Sequence, residues 1–335
     1  MSEMKIGITY DLRDDYLQKG ISEEEAAEYD KRDTIESLES TLNELGYSTY
    51  PIGNYEQLMR RLLNGDRWDM VFNIAEGFKG LGRESLVPAL LDSYAIPYTF
   101  SDPMVLALTL HKAMAKSFVR AMGIPTPDFF VYDENHRDFN GHITFPLFIK
   151  PVAEGTSKGI TAASRIYNKE DLVAACNALF LKFRQPVLIE QYLTGREFTV
   201  GILGTADKSR ILGVLEVFYR PGAEDGVYSF MNKERWQDLV EYRLVDDETA
   251  LRASKFALDI WKRLGCRDAG RVDFRLDDKG IPNFLEINPL AGLNPTHSDL
   301  CIIASHRGIS YRQLIGEIMR SALERYPFLI EKSHD

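Results

Sequence analysis

Gly270-Arg271-Val272-Asp273-Phe274, followed after one tight turn by Phe284-Leu285-Glu286-Ile287-Asn288-Pro289, reads as a β-hairpin that aims two carboxylates and an amide at one spot. With Lys279-Gly280 as a two-residue loop, Asp273 pairs with Glu286 and Arg271 with Asn288, and all four share a face. Val272, Phe274, Leu285 and Ile287 then fall on the opposite, apolar face, which favours this register over a slip by one residue. Two carboxylates directly opposed across strands repel unless a cation lies between them. Oxygen ligands of this kind suit Mg²⁺, which takes one or two carboxylates and fills its shell with water and phosphate oxygens. The plain alternative is a solvated polar face on which Arg271 merely neutralises Asp273, and the rest of the chain has to decide.

The other 300-odd residues define the setting. A chain of 335 residues exceeds one typical core, so two or three domains are expected. Hydrophobic residues at 44% and charged ones at 27% are ordinary for a soluble globular protein, and no apolar run approaches the roughly 18 residues of a membrane span. The start of the chain, Met1-Ser2-Glu3-Met4-Lys5, lacks a basic segment followed by an apolar one, so a cytoplasmic location is expected. Cys176, Cys266 and Cys301 are far apart and suggest neither a zinc site nor a disulfide framework. A net charge of −10 argues against nucleic acid as a partner and favours small-molecule chemistry.

Strand-like and helical segments alternate over the first hundred residues: 5–10, a helix carrying Ile35, Leu38, Leu42 and Leu45, then 47–52, 54–63 and 69–74. This is the order of a small doubly wound domain with a parallel sheet. Ligands of such sheets sit beyond the carboxyl ends of the strands, which points at the loops 11–20 and 75–84. A helix over 103–122 ends at Gly123, and Ile124-Pro125-Thr126-Pro127 cannot continue it. Strands at 129–132, 145–150 and 159–164 with a helix at 169–183 make a small α+β unit. Further strands, an irregular piece at 220–238, a helix at 247–264, the hairpin and a helix at 309–325 complete the chain. The expected division is a substrate-side domain 1–102, a central unit 103–186 and a catalytic unit 187–335.

Two further motifs carry chemistry. Phe145-Pro146-Leu147-Phe148-Ile149-Lys150-Pro151 ends a buried strand in a lysine, and Glu154-Gly155-Thr156-Ser157-Lys158-Gly159 follows at once. Glycines let backbone N–H groups approach anionic oxygens, and hydroxyl or lysine donors complete a phosphate cradle; it is not a Walker A sequence. Val187-Leu188-Ile189-Glu190-Gln191-Tyr192-Leu193 then precedes Gly195-Arg196-Glu197-Phe198-Thr199-Val200, an apolar strand ending in groups able to pair with a purine or a ribose.

In this order, the lysine strand, glycine loop, Glu-Gln-Tyr-Leu hinge, Glu-Phe-Thr-Val strand and hairpin resemble the ATP-grasp fold. Within that fold they are similar to the D-alanine:D-alanine ligase family. The resemblance spans roughly residues 86–320 and includes 95–99, 110–116, 123–127 and 290–295. It implies a three-domain α/β and α+β protein that phosphorylates a carboxylate with ATP and lets an amine attack the acylphosphate. It further implies that Lys112, Lys150, Thr156, Ser157 and Gly159 contact ATP phosphates, that Glu190 and Leu193 form the adenine hinge, and that Glu197 holds the ribose. Asp273, Glu286 and Asn288 match the ligands of two Mg²⁺ ions, which Mn²⁺ can replace. Arg271 and the Gly292 N–H match the groups that stabilise the reacting acyl centre, Lys233 matches a lysine of the closing loop, and a homodimer is the family's habit.

The substrate-side loops depart from that family. Where it has a serine–glutamate signature, Tyr10-Asp11-Leu12-Arg13-Asp14-Asp15 stands, and Glu76 occupies or adjoins a histidine position, with Arg83 nearby. The tyrosine beside Lys233 is missing, although Tyr228 is close in sequence, and Pro295-Thr296-His297-Ser298 replaces the usual serine stretch. Asp11, Arg13, Glu76, Arg83, Tyr228, His297 and Ser298 are therefore the expected substrate contacts, and an amino acid or short peptide other than the usual one is expected in the donor pocket. The alternatives are a plain D-alanyl-D-alanine enzyme, an L-amino-acid or natural-product ligase, or a silent ATP-binding protein.

Overall fold

A computed structural model describes residues 3–136, 144–223 and 236–332 of the chain. β1 (Lys5–Thr9), β2 (Ser48–Gly53) and β3 (Met70–Asn73) form a parallel sheet in the order β2-β1-β3. The helix Arg32–Glu44 lays Ile35, Leu38 and Leu42 on the core built by Ile6, Ile8 and Phe72 of that sheet. The helix Tyr55–Leu63 starts in a capping box between Asn54 and Gln57 and buries Leu58 and Leu62 beside Val71. Alternation of strand and helix over this stretch is as the periodicity predicts.

The single helix expected over 103–122 is two helices, Pro103–Leu110 and Lys112–Ala121. His111 lies between them with ψ at 91°, and its ring accepts the Met114 N–H at 3.3 Å. The Lys112 N–H donates instead to the Val152 carbonyl at 2.9 Å. Hydrophobic periodicity runs through the break because both halves face the same core; the kink sets Lys112 at the start of a helix, beside the end of the lysine strand.

β4 (Phe129–Tyr132), β5 (Leu147–Pro151), β6 (Arg165–Ile166) and β7 (Val187–Gln191) form an antiparallel sheet in the order β4-β7-β5-β6, with the helix Lys169–Phe183 packed on it. The strand expected at 159–164 is a loop with one short 3₁₀ turn, Ala162–Ser164. Thr156, Ser157 and Gly159 all have positive φ, a backbone that curls rather than extends.

β8 (Glu197–Leu203), β9 (Arg210–Tyr219), β10 (Val240–Leu244), β11 (Ala269–Leu276) and β12 (Pro282–Asn288) make a five-stranded antiparallel sheet in the order β10-β9-β8-β11-β12. The helix Glu248–Leu264 packs Ala253, Ala257, Ile260 and Trp261 against Phe198, Val272 and Phe274. The helices Asp299–His306 and Tyr311–Glu324 join the core of the parallel sheet, so the C-terminal residues and the first sheet share one apolar cluster. Among the described residues no helix is long and apolar enough to cross a membrane.

The hairpin keeps its expected pairs, Arg271 with Asn288 and Asp273 with Glu286. Its turn differs from the expected two-residue loop: Asp277 N–H bonds Ile281 O at 3.0 Å and Leu276 pairs with Pro282. The one-residue difference is absorbed by a bulge that leaves Phe274 opposite Phe284. Phe284 is therefore the core residue, wholly buried, and Leu285, expected on that face, lines the cleft instead.

Candidate active site

Two cavities meet over β11 and β12. One, of about 890 Å³, has apolar walls from Phe148, Ile160, Tyr192, Leu193 and Leu285 and polar ends at Lys150, Glu197, Asp273 and Glu286. The other, of about 1300 Å³, runs from Arg271, Glu286 and Asn288 to residues 27–31 and Glu76. Thr156 and Arg271 line both.

Lys150 leaves β5 and Lys116 leaves the helix Lys112–Ala121 to meet the buried carboxylate of Glu190, each at 2.7 Å. Burial opposes the charge on Glu190, but the two ammonium groups outweigh it and hold the carboxyl below its ordinary range. The Glu190 side chain is thus spent on two lysines, one of which, Lys116, was not among the expected site residues. Glu197 accepts the Tyr219 hydroxyl at 2.8 Å and lies 3.4 Å from Arg275.

At the hairpin, Arg271 is ion-paired with Asp273 and lies 3.6 Å from Asp299. Lys112 is 3.4 Å from Glu286 and donates to the Glu154 carbonyl at 2.5 Å. Burial raises Asp273 to about 6 against the pull of Arg271, with Glu286 and Asp299 adding to the rise. Glu286 goes the other way: burial opposes its charge, but Lys112, Lys150 and Arg271 outweigh it and keep the carboxyl well below its ordinary value. Asp273 Oδ1 and Thr156 Oγ1 are buried with no hydrogen-bond partner. A buried acceptor without a donor is costly, and a hard cation bridging Asp273 and Glu286 would satisfy it. Asp273, Glu286 and the amide oxygen of Asn288 therefore fit a Mg²⁺ site.

The glycine loop is held from outside. Lys158 pairs with Glu28 at 2.8 Å and with Glu154, while Glu28 accepts two Arg83 N–H groups at 2.9 and 2.8 Å. Arg83 also donates to the Ala153 carbonyl at 2.7 Å, and Glu24 accepts the Gly159 N–H at 3.2 Å. Arg83, expected to touch substrate, is instead a buried clamp between Glu28 and the strand end that leads into this loop. Asp11 is likewise removed from the cavity: it accepts the Tyr16 hydroxyl and, at 2.8 Å, the Gly77 N–H, tying two loops together. Short-range sequence features place both residues in the right loops, but which way a side chain turns depends on partners 66 and 55 residues away.

Arg13, Glu76, Gly292, His297 and Ser298 do line the larger cavity. Arg13 turns its guanidinium to Glu23 at 2.5 Å. Ser298 accepts the Asn294 N–H at 2.9 Å, and its hydroxyl stands 2.9 Å from where a Cβ on Gly292 would lie, so a side chain at 292 would crowd it. His297 is exposed, with Thr296 Oγ1 at 3.4 Å. Lys233 and Tyr228 lie outside the described residues.

Residues 118–320, more than half of the chain, match the D-ala D-ala ligase C-terminus family. The D-alanine–D-alanine ligase of Aquifex aeolicus is 31% identical over 291 residues, covering 85% of this chain and 93% of that enzyme. The chain belongs to the D-alanine–D-alanine ligase family. The ATP-complexed D-alanine–D-alanine ligase of Bacillus anthracis aligns with TM-score 0.76 at 23% identity over 99% of this chain and 100% of that one. The VanG D-Ala:D-Ser ligase of Enterococcus faecalis aligns with TM-score 0.73 at 21% identity over 96% and 100%. At these identities the likeness is one of fold, and the fold is ATP-grasp.

In this ligase-family chain the cavity is also lined by residues that motif reading did not single out: Glu28, Asp30, Glu84 and Asp299. Their signals were faint. Glu28 and Asp30 close a charged stretch that reads as solvated surface, Glu84 adjoins the clamp Arg83, and Asp299 reads as an ordinary first-turn acid of a helix. Burial, with the charges of Asp11 and Asp33, pushes Asp30 up to about 8. A carboxyl whose folded value is raised binds its proton more tightly folded than unfolded, so its stabilising contribution is complete below its unfolded value and lost as pH rises through the folded one. Asp30→Asn is therefore expected to raise the melting temperature most at about pH 9 and least near pH 4. Thermal melts of both proteins across that range check it; an equal change at both ends would contradict the assignment.

Proposed function

We propose that the chain is an Mg·ATP-dependent ligase that activates an amino-acid or peptide carboxylate as an acylphosphate and passes the acyl group to an amine, with a donor other than the D-alanine of its named relatives. The observation that carries the proposal is the unpartnered, buried Asp273 Oδ1 facing Glu286 within the ring formed by Lys112, Lys150 and Arg271. Such a constellation attracts a polyphosphate and its cation together.

The apolar walls with Leu193 take the base, and Glu197 takes the ribose. Lys112 and Lys150 hold phosphate oxygens, while Thr156, Ser157 and the Gly159 backbone curl over them. Mg²⁺, held by Asp273, Glu286 and Asn288, would neutralise charge on the transferred phosphoryl group. Arg271 receives the donor carboxylate at the mouth of the second cavity; one carboxylate oxygen attacks the γ-phosphorus and ADP leaves. The acceptor amine then attacks the acyl carbon, the oxyanion is met by Arg271 and the Gly292 N–H, and phosphate departs carrying the donor's oxygen. Lys233 is proposed to close the site, limiting hydrolysis of the acylphosphate.

The proposed division of labour is 1–102 for the donor side, 103–186 for the nucleotide and 187–335 for the chemistry. Three buried free cysteines and the use of ATP support a cytoplasmic location, with a homodimer following the family habit. The test is phosphate release with Mg·ATP against separate pools of D- and L-amino acids, with product masses. ATP-dependent amide formation from a pool other than D-alanine is expected. Efficient turnover with D-alanine alone would restore the plain family reading, and no release with any pool would favour a silent nucleotide-binding protein.

A further inference from the structure

The far wall of the larger cavity carries more carboxyl groups than its own cations pair. Glu28, Glu76 and Glu84 each bring one carboxylate oxygen within 4.8 Å of the others, and all three line the cavity with Asp30. Glu28 is satisfied by Arg83 and Lys158. Glu84 is only 9% exposed and, like Glu76 and Asp30, has no hydrogen bond or ion pair to its carboxylate among the described residues. The neighbouring cations are committed elsewhere: Arg83 to Glu28 and the Ala153 carbonyl, Lys158 to Glu28 and Glu154, Lys112 to Glu286 and the Glu154 carbonyl, and Arg13 to Glu23. Lys31 is exposed at the rim.

Glu76 and Glu84 stand within repulsive range of each other and of Glu28, and neither has the partner that a buried charge requires. Burial, joined by Glu28 and outweighing Arg83, raises Glu84 to about 7, and burial with Glu84 and Glu28 holds the Glu76 carboxyl well above its ordinary value. The same cavity ends at Arg271, where the donor's carboxylate must lie for activation. A donor seated there therefore extends toward Glu84, Glu76 and Asp30. A neutral amino acid brings one ammonium to three acids.

We infer that the acyl donor is a dibasic amino acid, one whose side chain carries a second ammonium group that seats between Glu76 and Glu84 while the α-ammonium faces the Asp30 side. The inference rests on the ligase reading above and deepens it to a substrate class. A divalent cation at the same wall is the competing source of positive charge, and the test separates the two.

Phosphate release is measured with Mg·ATP for the amino acids lysine and ornithine against their neutral isosteres norleucine and norvaline, each as D and L forms. Alanine serves as a common acceptor, and product masses with fragmentation identify which carboxyl entered the amide. The expected result is a kcat/KM at least about tenfold higher for a dibasic donor, still short of the 10⁴ that a fully committed polar pocket reaches. In Glu84→Gln and Glu76→Gln that ratio falls toward one; using both keeps the test decisive if one variant fails to fold, which thermal melts report. Equal or better use of the neutral isosteres by the wild-type protein overturns this inference and leaves the ligase reading standing. No phosphate release with any donor overturns both. A third bound Mn²⁺ per chain that Glu84→Gln removes would also overturn it, by placing a metal where the ammonium is assigned.

Discussion

Glu286→Gln is expected to lower kcat for Mg·ATP-dependent turnover by about 10³, equivalent to about 4 kcal/mol at roughly 1.36 kcal/mol per tenfold. The substitution preserves volume and one acceptor oxygen while removing the charge on which Lys112, Lys150 and Arg271 converge. Asp273 would then face an amide across the strands, and a cation between them would lose half of its anionic support. The reading is specific to metal use: the apparent KM for Mg²⁺ should rise together with the fall in kcat, and melting curves should show that the variant is folded. Turnover within threefold of wild type would remove the hairpin from the metal site, because no other carboxylate pair stands opposed across β11 and β12.

Arg271→Lys is expected to cost about 10²–10³ in kcat, the range seen when one donor to a developing oxyanion is lost. Arg271 holds two fixed directions at once, toward Asp273 and toward Asp299, and its planar fork presents the remaining N–H groups to the cavity. A lysine supplies one rotating point charge and cannot span both carboxylates while serving a substrate. The loss should fall on kcat and leave the KM for ATP within a few fold, since the proposed phosphate contacts, Lys112 and Lys150, are unchanged. A large rise in the KM for ATP with kcat unchanged would instead make Arg271 a nucleotide ligand.

The parts of the fold carried by local pattern were legible in the sequence. Alternating residues in 271–274 and 284–288 were enough to pair Asp273 with Glu286, because the polar face is useless in any other register. The same alternation misplaced Leu285, since a bulge shifts one strand by a residue and leaves no compositional trace; only the packing of Phe284 against Phe274, with ring centroids 6.2 Å apart, requires it. The break at His111 was hidden for a related reason: apolar spacing continues through it, and the cause is an amide captured by Val152, 40 positions on in sequence. Of the residues read from motifs, Lys150, Glu190, Glu197 and Asn288 sit at or next to strand ends and are placed by the strands themselves. Glu28, Asp299 and Lys116 are placed by long-range pairing, such as Lys116 donating to Phe284 O at 3.1 Å, which nothing near residue 116 announces. Asp11 and Arg83 show the converse, residues in the right loops whose charges are consumed by structure.

The central claim, that a donor carboxylate is activated by phosphoryl transfer at this hairpin, is tested most directly by oxygen transfer. With a donor pool labelled with ¹⁸O in its carboxyl group, Mg·ATP and an acceptor amine, the phosphate released during amide formation should carry one ¹⁸O, because the attacking carboxylate oxygen leaves on phosphorus. Unlabelled phosphate would mean that water, not a carboxylate, receives the phosphoryl group, and would contradict the account.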